Sequence, residues 1–180
     1  MATVAAEKIA RALWSGATEA EERLYAILDG ARNEGIYAAV ATAGCAYECL
    51  YPGELAPDMA EVAPYLVSLS ADDSFTRWII EKGWGNSWGV FVRTPAELRL
   101  LRQHMRSLAT VYSPDLKPMY FRFYDPRVLR AHLPACNADE LARFFGPVSS
   151  FLLEDDNPGA LLHLSNASGK LGTHRFALAA

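Results

Sequence analysis

The stretch FRFYDPRVLRAHL, residues 121–133, joins a predicted strand to a predicted helix. Aromatic residues that alternate with an arginine favour a strand, and the Asp125-Pro126 pair that follows is typical of a helix N-terminus. The Asp125 carboxylate can accept hydrogen bonds from the free backbone amides of the first turn, where Pro126 needs no donor. We therefore interpret Asp125, Pro126 and Arg127 as a structural motif rather than as catalytic residues.

The strand before this motif, MYFRFY at 119–124, predicts two different faces. A period of two puts Arg122 on a face with polar tips, opposite an apolar face. If helices cover both faces of the sheet, the Arg122 guanidinium is partly buried and needs a carboxylate, for which Asp29 and Asp125 are the natural partners. Such a pair would fix the register of the sheet more than it would add net stability.

Apolar, strand-like runs and amphipathic segments alternate along most of the chain. This alternation predicts an α/β or α+β fold in a single domain, with a mixed central β-sheet packed with helices and no helical C-terminal lobe. The domain is expected over residues 1–156, followed by a C-terminal tail or hairpin over 157–180. The predicted strands are 24–31, 63–69, 88–92, 119–124 and 148–154, and the predicted helices are 3–14, 32–44, 72–82, 94–108 and 137–145.

Two of these helices carry recognisable N-terminal caps. In TPAELRLLRQHMRSL, Thr94 is predicted as the N-cap, with Pro95 at the first helical position and Glu97 closing a capping box. In NADELARFF, Asn137 is predicted as the cap, with Glu140 three residues later. Both helices should therefore begin at these caps.

Two features could contact a partner protein. The helix at 94–108 carries Arg99, Arg102 and Arg106 on one face, which indicates either a solvated surface or a site for an acidic partner. The glycine-rich segment GWGNSWG, 83–89, contains Trp84, which could serve as an exposed aromatic anchor, although burial is the simpler interpretation. These four residues are the predicted partner-binding positions.

Composition excludes several classes of function. A net charge of −4 argues against a general nucleic-acid binder, which needs a clustered basic surface. No apolar run approaches the roughly 20 residues needed to cross a bilayer, and charged residues interrupt the N-terminal alanines, so we expect a cytoplasmic protein without a signal peptide. Cys45 and Cys49 lack the partner spacing of a zinc site, so we expect neither a metal nor a cofactor.

An enzymatic alternative remains open at this stage. Asp29 and Asp125, with a histidine from His104 or His132, could form a general acid/base set in a small α/β hydrolase or transferase. The sequence supplies no nucleophile elbow, no metalloprotease motif and no phosphate-binding loop to accompany that set. We therefore expect a protein that is not an enzyme.

The order of these motifs resembles a known family, the adaptor or effector-chaperone domains of bacterial type VI secretion systems. The resemblance covers about residues 24–154 and rests on LYAILDGA, APYLVSL, WGVFVRTPAELRLLRQHMRSL, FRFYDPRVLRAHL and ELARFFGPV. It implies a non-enzymatic loader that binds an effector toxin and helps place it on the valine-glycine-repeat (VgrG-type) spike protein. Members of the family often continue into a helical C-terminal lobe, which we expect to be missing or reduced here.

Overall fold

A seven-stranded sheet forms the centre of the computed structural model, which describes residues 2–15 and 22–178. The order across this sheet is β2-β3-β1-β4-β7-β8-β9, and β5 and β6 form a separate two-stranded sheet. The strands are β1 (Arg23–Asp29), β2 (Tyr47–Cys49), β3 (Pro64–Ser68), β4 (Gly89–Thr94), β5 (Thr110–Tyr112), β6 (Pro118–Tyr120), β7 (Ser150–Glu154), β8 (Ala160–Ala167) and β9 (Lys170–Ala177).

Helices cover both faces of the large sheet and confirm the predicted α/β fold in one domain. Helices α1, α2 and α4 supply buried residues to one apolar core, and α5, α6 and α7 supply the other. None of the described helices is both long and apolar enough to cross a bilayer. The helices are α1 (Ala2–Trp14), α2 (Gly35–Thr42), α3 (Pro57–Val62), α4 (Ser74–Gly83), α5 (Leu98–Leu108), α6 (Pro126–His132) and α7 (Ala138–Phe145).

The central strand β1 explains why two cores form. Six of its seven residues are buried, since successive side chains point to opposite faces of the sheet and both faces are covered. Leu24, Ala26 and Leu28 enter one core, whereas Tyr25 and Ile27 enter the other. We expected a sheet with both parallel and antiparallel pairs, but all pairs among the described strands of this sheet are antiparallel.

The helix after β4 begins later than its sequence predicts, so the predicted capping box is wrong. Thr94 is the last residue of β4, and α5 starts at Leu98 with Glu97 at the N-cap position and no side-chain cap. The Thr94 hydroxyl instead donates to the carbonyl of Pro147 at 2.6 Å and accepts from the amide of Ala96 at 3.0 Å. Tertiary pairing has therefore overridden a local helix signal. By contrast, the Asn137-Glu140 capping box of α7 is present as predicted.

The strand predicted at 119–124 is shorter than its alternation indicates. Strand β6 ends at Tyr120, and the amide of Phe123 donates to the carbonyl of Phe121, which turns the chain. Phe123 and Tyr124 are then both buried, although a continuous strand would place them on opposite faces. The predicted two-faced strand is therefore wrong beyond Tyr120, because two consecutive aromatic side chains both enter the core.

The C-terminal segment forms a hairpin that continues the main sheet. Strands β8 and β9 pair from Ala160 with Ala177 to Ala167 with Lys170. A two-residue turn joins them, with φ of 54° at Ser168 and 83° at Gly169, as in the turns that suit hairpins. Because β8 also pairs with β7, the hairpin belongs to the same sheet as the rest of the domain.

Candidate functional site

A buried carboxylate lies at the end of β1. Asp29 is 1 % exposed, and its Oδ1 accepts a hydrogen bond from the Ala31 amide at 3.1 Å. Its Oδ2 has no hydrogen-bond partner among the described residues, and the Arg122 Nη1 lies 3.9 Å away. The side chain of Arg122 is 54 % exposed, and the carboxylate nearest to it is Asp29, one of its two predicted partners. The Arg122 guanidinium therefore lies near Oδ2 without a hydrogen bond to it.

The second predicted carboxylate caps a helix. Asp125 precedes α6, and its Oδ1 accepts from both the backbone amide and the Nε of Arg127 at 2.9 Å. The Arg127 Nη2 also donates to Oδ2, which makes the contact bidentate. Pro126 occupies the first helical turn, as its sequence position predicts. Asp125 is therefore fully engaged in starting α6.

The two carboxyl groups have opposite shifts in pKa. Burial raises the pKa of Asp29, because the hydrogen bond from Ala31 and the charge of Arg122 only partly compensate for lost hydration. Burial also acts on the pKa of Asp125, but the hydrogen bonds from Arg127 outweigh it and lower that pKa. The same residue type is thus destabilised as an anion at one site and stabilised at the other.

The histidines proposed for acid/base chemistry have other partners. The Nε2 of His104 lies 2.9 Å from the carbonyl oxygen of Phe144. The ring of His132 packs on Phe121 and Phe144, and its Nε2 lies 3.5 Å from the Cys136 sulfur. Neither imidazole is hydrogen-bonded to a carboxylate among the described residues. The structure therefore does not assemble the predicted set.

Sequence reasoning missed the small hairpin formed by β5 and β6, which carries exposed apolar side chains. Val111 and Met119 are directly paired, so their side chains share one face, and Met119 is 50 % exposed. Tyr120 is 60 % exposed and packs on Tyr51, with ring centroids 4.8 Å apart. We call the exposed apolar residues of this hairpin, Val111, Leu116, Met119 and Tyr120, the hairpin patch; because Tyr120 follows Met119 in β6, its side chain lies on the opposite face of the hairpin. Large apolar side chains that one small element exposes to solvent are typical of contact surfaces.

The tip of this hairpin holds a leucine in an unfavourable conformation. The Ser113 amide donates to the Lys117 carbonyl at 2.9 Å, and the Leu116 amide donates back to the Ser113 carbonyl at 2.8 Å. Leu116 has φ of 58°, in the left-handed region where a hairpin loop of this kind usually places glycine. Leu116 is also 79 % exposed to solvent. Folding alone would favour glycine there, because a side chain in this region costs about 1–2 kcal/mol.

Comparison with family models identifies residues 24–143 as a domain of unknown function, DUF4123. The match spans two thirds of the chain. This protein belongs to the DUF4123 family. Comparisons with curated proteins and with solved structures gave no match.

The matched region of the DUF4123 domain contains Asp29, Asp125 and the hairpin patch. It ends within α7, so the match leaves out β7, β8 and β9, which complete one side of the central sheet. These three strands are nevertheless continuous with the matched ones, since β7 pairs with β4. The strands inside the family match and the three strands after it therefore form one sheet.

Trp84, the predicted aromatic anchor of the DUF4123 domain, is largely occupied by contacts inside the fold. Its indole Nε1 donates to the carbonyl of Pro158 at 2.7 Å, and its ring stacks on Phe91 with centroids 6.5 Å apart. The residue is half-buried, and Trp88 is buried. Trp84 holds the loop after α4 against the loop after β7, which leaves only part of its surface for a partner.

The predicted arginine stripe lies on α5 but is not a uniform charged face. Arg99 is exposed, whereas Arg102 and Arg106 are half-buried. The Arg102 Nε lies 3.2 Å from both the Cys49 carbonyl oxygen and a Glu48 carboxylate oxygen, so this arginine is bound to strand β2. Partner binding by Arg99 and Arg106 stays a prediction, while Arg102 has a structural role.

The pKa of Asp29 predicts an unusual response to pH. Its pKa in the fold lies above the usual value of 3.8, so stability contributed by the neutral form is lost as pH rises through that folded-state pKa. Asp29→Asn keeps an oxygen for the Ala31 amide and removes the charge. We expect this variant to match or exceed the parent in free energy of unfolding at pH 7, by a margin that grows from pH 4 to pH 7. Urea unfolding at several pH values measures it.

Asp125→Asn provides the matched control with the opposite sign. The pKa of Asp125 is lowered, so its contribution is complete above the usual value of 3.8 and is lost as pH falls through the folded-state pKa. This variant should be less stable than the parent at pH 7, by a margin that shrinks in acid. A loss of stability in Asp29→Asn that grows toward pH 7 would contradict the assignment of Asp29.

Proposed function

We propose that this DUF4123 protein is a non-enzymatic adaptor that binds a type VI secretion effector and helps load it onto the valine-glycine-repeat spike protein. Family membership covers the region whose motif order resembles the secretion adaptors. The hairpin patch, which lies within that region, is the observation that carries the proposal. It exposes large apolar side chains to solvent, with Leu116 79 % and Met119 50 % exposed.

The conformation of Leu116 supports a binding role for this surface. Residues held in sparsely populated backbone conformations concentrate at ligand-binding and other functional positions, where a contact offsets their cost. Leu116 combines such a conformation, φ 58°, with an almost fully exposed apolar side chain. Neither property stabilises the isolated domain, so both are explained if a partner covers the hairpin tip.

An adaptor must hold its cargo stoichiometrically until delivery. Specific complexes of that kind bury roughly 1,200–2,000 Å² and contain a desolvated apolar centre. In our proposal Leu116 and Met119 lie in that centre, while Tyr120, on the opposite face of the hairpin, packs on Tyr51 and holds the hairpin in place. The exposed Arg99 on α5 then contributes at the polar rim, where charge affects the rate of association more than affinity.

A small hydrolase or transferase that uses Asp29 and Asp125 is the alternative function. The raised pKa of Asp29 favours it, because a carboxyl group that stays protonated can act as a general acid. The Oδ2 of Asp29 is buried, however, and Arg127 occupies both oxygens of Asp125. A substrate could bind the Asp125 carboxylate only after Arg127 had left it, and the Asp29 Oδ2 is not exposed to solvent, so the adaptor is the better supported proposal.

Co-expression tests the proposed function directly. The chain is produced together with the products of its neighbouring genes, which the proposal expects to include an effector and a spike protein, and the mixture is separated by size-exclusion chromatography. We expect a co-eluting complex and a larger soluble fraction of the effector, because the adaptor covers apolar surface that would otherwise aggregate. A folded chain that associates with neither protein would overturn the adaptor assignment.

A further inference from the structure

The two edges of the central sheet differ in how they are protected. Strand β2 at one edge has three residues, and its Cys49 carbonyl is occupied by the guanidinium of Arg102 at 3.2 Å. Strand β9 at the other edge has eight residues, and among the described residues no strand pairs with its outer side. Proteins usually protect long edges with charged side chains, proline, bulges or covering segments, because unpaired backbone groups can accept another strand.

The register of the hairpin shows which backbone groups of β9 face outward. The Leu178 amide donates to the Gly159 carbonyl at 2.8 Å, which makes these two residues a hydrogen-bonded pair of the antiparallel ladder. Hydrogen-bonded and non-hydrogen-bonded pairs alternate along such a ladder. The residues whose N–H and C=O groups point away from β8 are therefore Leu171, Thr173, Arg175 and Ala177.

These outward groups have no hydrogen-bond partner within the described part of the chain. No described side chain forms a hydrogen bond to the backbone of these four residues, whereas the Cys49 carbonyl at the opposite edge accepts one from Arg102. Thr173, in the middle of β9, is exposed, as are its neighbours His174 and Arg175. The outer edge of β9 thus presents a regular row of donors and acceptors to solvent.

The charges on β9 define what kind of strand this edge suits. The strand contains Lys170, His174 and Arg175 and no acidic residue, although the whole chain has a net charge of −4. Arg175 pairs with Asp155 at 2.7 Å, whereas Lys170 has no ion pair among the described residues. The nearby acids of α7 are partly engaged, since Glu140 accepts from the Asn137 amide in the capping box. Opposite charges across paired strands are stabilising, and like charges are destabilising.

We propose that the outer edge of β9 binds an extended, acidic segment of a partner protein by strand addition. Backbone hydrogen bonds to the four outward-facing residues supply affinity, and the basic side chains of β9 select acidic segments. The proposal does not depend on the secretion role, because it concerns the backbone edge and not the identity of the partner. It also concerns a surface separate from the hairpin patch, on strands outside the family match.

A synthetic peptide tests this edge. The probe alternates glutamate and valine over about eight residues, a length that matches β9, and a lysine-valine peptide of the same pattern is its counterpart. Hydrogen exchange of backbone amides is followed by NMR in the intact chain. We expect the acidic peptide to slow exchange at Leu171, Thr173, Arg175 and Ala177 by about tenfold or more, with a weaker effect from the basic peptide.

Two controls separate strand addition from other contacts. Thr173→Pro removes one outward-facing donor without removing a bond to β8 and should abolish the protection, whereas Thr173→Ala should retain it. If the proline variant does not fold, an acidic peptide N-methylated at alternate residues gives the same comparison with the unaltered protein.

Three results would overturn the proposal. One is the absence of protection by the acidic peptide, and another is equal protection by the acidic and basic peptides. The third is protection that increases with protein concentration alone, which would identify a second copy of the chain as the occupant. A failure of effector co-elution would affect only the secretion role, so the two proposals fail separately.

Discussion

Replacing Leu116 by glycine should weaken partner binding about tenfold or more while the domain keeps its stability or gains up to about 1 kcal/mol. The substitution removes the exposed apolar side chain at the hairpin tip and places glycine at a φ of 58°, which glycine adopts without strain. Binding is measured by titration of the co-expressed partner, and stability by urea unfolding. Affinity should therefore fall while the free energy of unfolding stays the same or rises.

Ser168→Gly is the matched control for this experiment. Ser168 also has a positive φ, 54°, but lies in the turn between β8 and β9. Its replacement relieves backbone strain of the same kind without changing the hairpin patch. We expect similar stability effects in both variants and a loss of binding only in Leu116→Gly. Unchanged affinity of the Leu116 variant would exclude the hairpin tip from the interface.

The largest effect on folding is expected from Gly89→Ala. Strand β4 approaches β1 so closely at Gly89 that an added Cβ would lie 1.9 Å from the Ile27 carbonyl oxygen and 3.1 Å from the Leu28 Cα. Both obstacles belong to the backbone of the central strand, so no side chain can rotate to make room. We expect the free energy of unfolding to fall by about 3 kcal/mol or more, measured by urea titration.

Gly35→Ala is the corresponding control. Gly35 is the first residue of α2, and an added Cβ would meet only the Asn33 side-chain oxygen at 3.1 Å. Alanine favours helix over glycine by about 1 kcal/mol in a helix interior, so this variant should be neutral or slightly stabilised. Comparable destabilisation of both variants would show that the contact between β4 and β1 is looser than the structure indicates.

The parts of the fold that follow from sequence are those in which local and tertiary preferences agree. The apolar run ending at Asp29 predicts a buried strand, and the Asn137-Glu140 box predicts the start of α7. Asp125-Pro126 predicts the start of α6 because the cap requires only neighbouring residues. At these positions, residues close together in the sequence are sufficient to determine the local structure.

Other features depend on contacts that a sequence pattern does not contain. Thr94 looks like a helix cap, yet its partner is Pro147, 53 positions further along the chain. The candidate site was missed for a related reason, because MYFRFY reads as one strand while the chain turns after Tyr120 to bury Phe123 and Tyr124. The exposure of Leu116 likewise depends on the hairpin that the turn creates.

The guanidinium of Arg102 on the outer carbonyl of β2 also limits how copies of this domain could aggregate. Fibre growth by strand pairing needs two free edges on every copy, since each added copy must offer a new edge to the next. Here one edge is only three residues long and its Cys49 carbonyl is occupied, so we expect pairing through β9 to end with a single added strand or a closed pair of domains. Removing the Arg102 side chain would free the Cys49 carbonyl at the second edge, and we infer that this arginine contributes to protecting the protein from polymerisation.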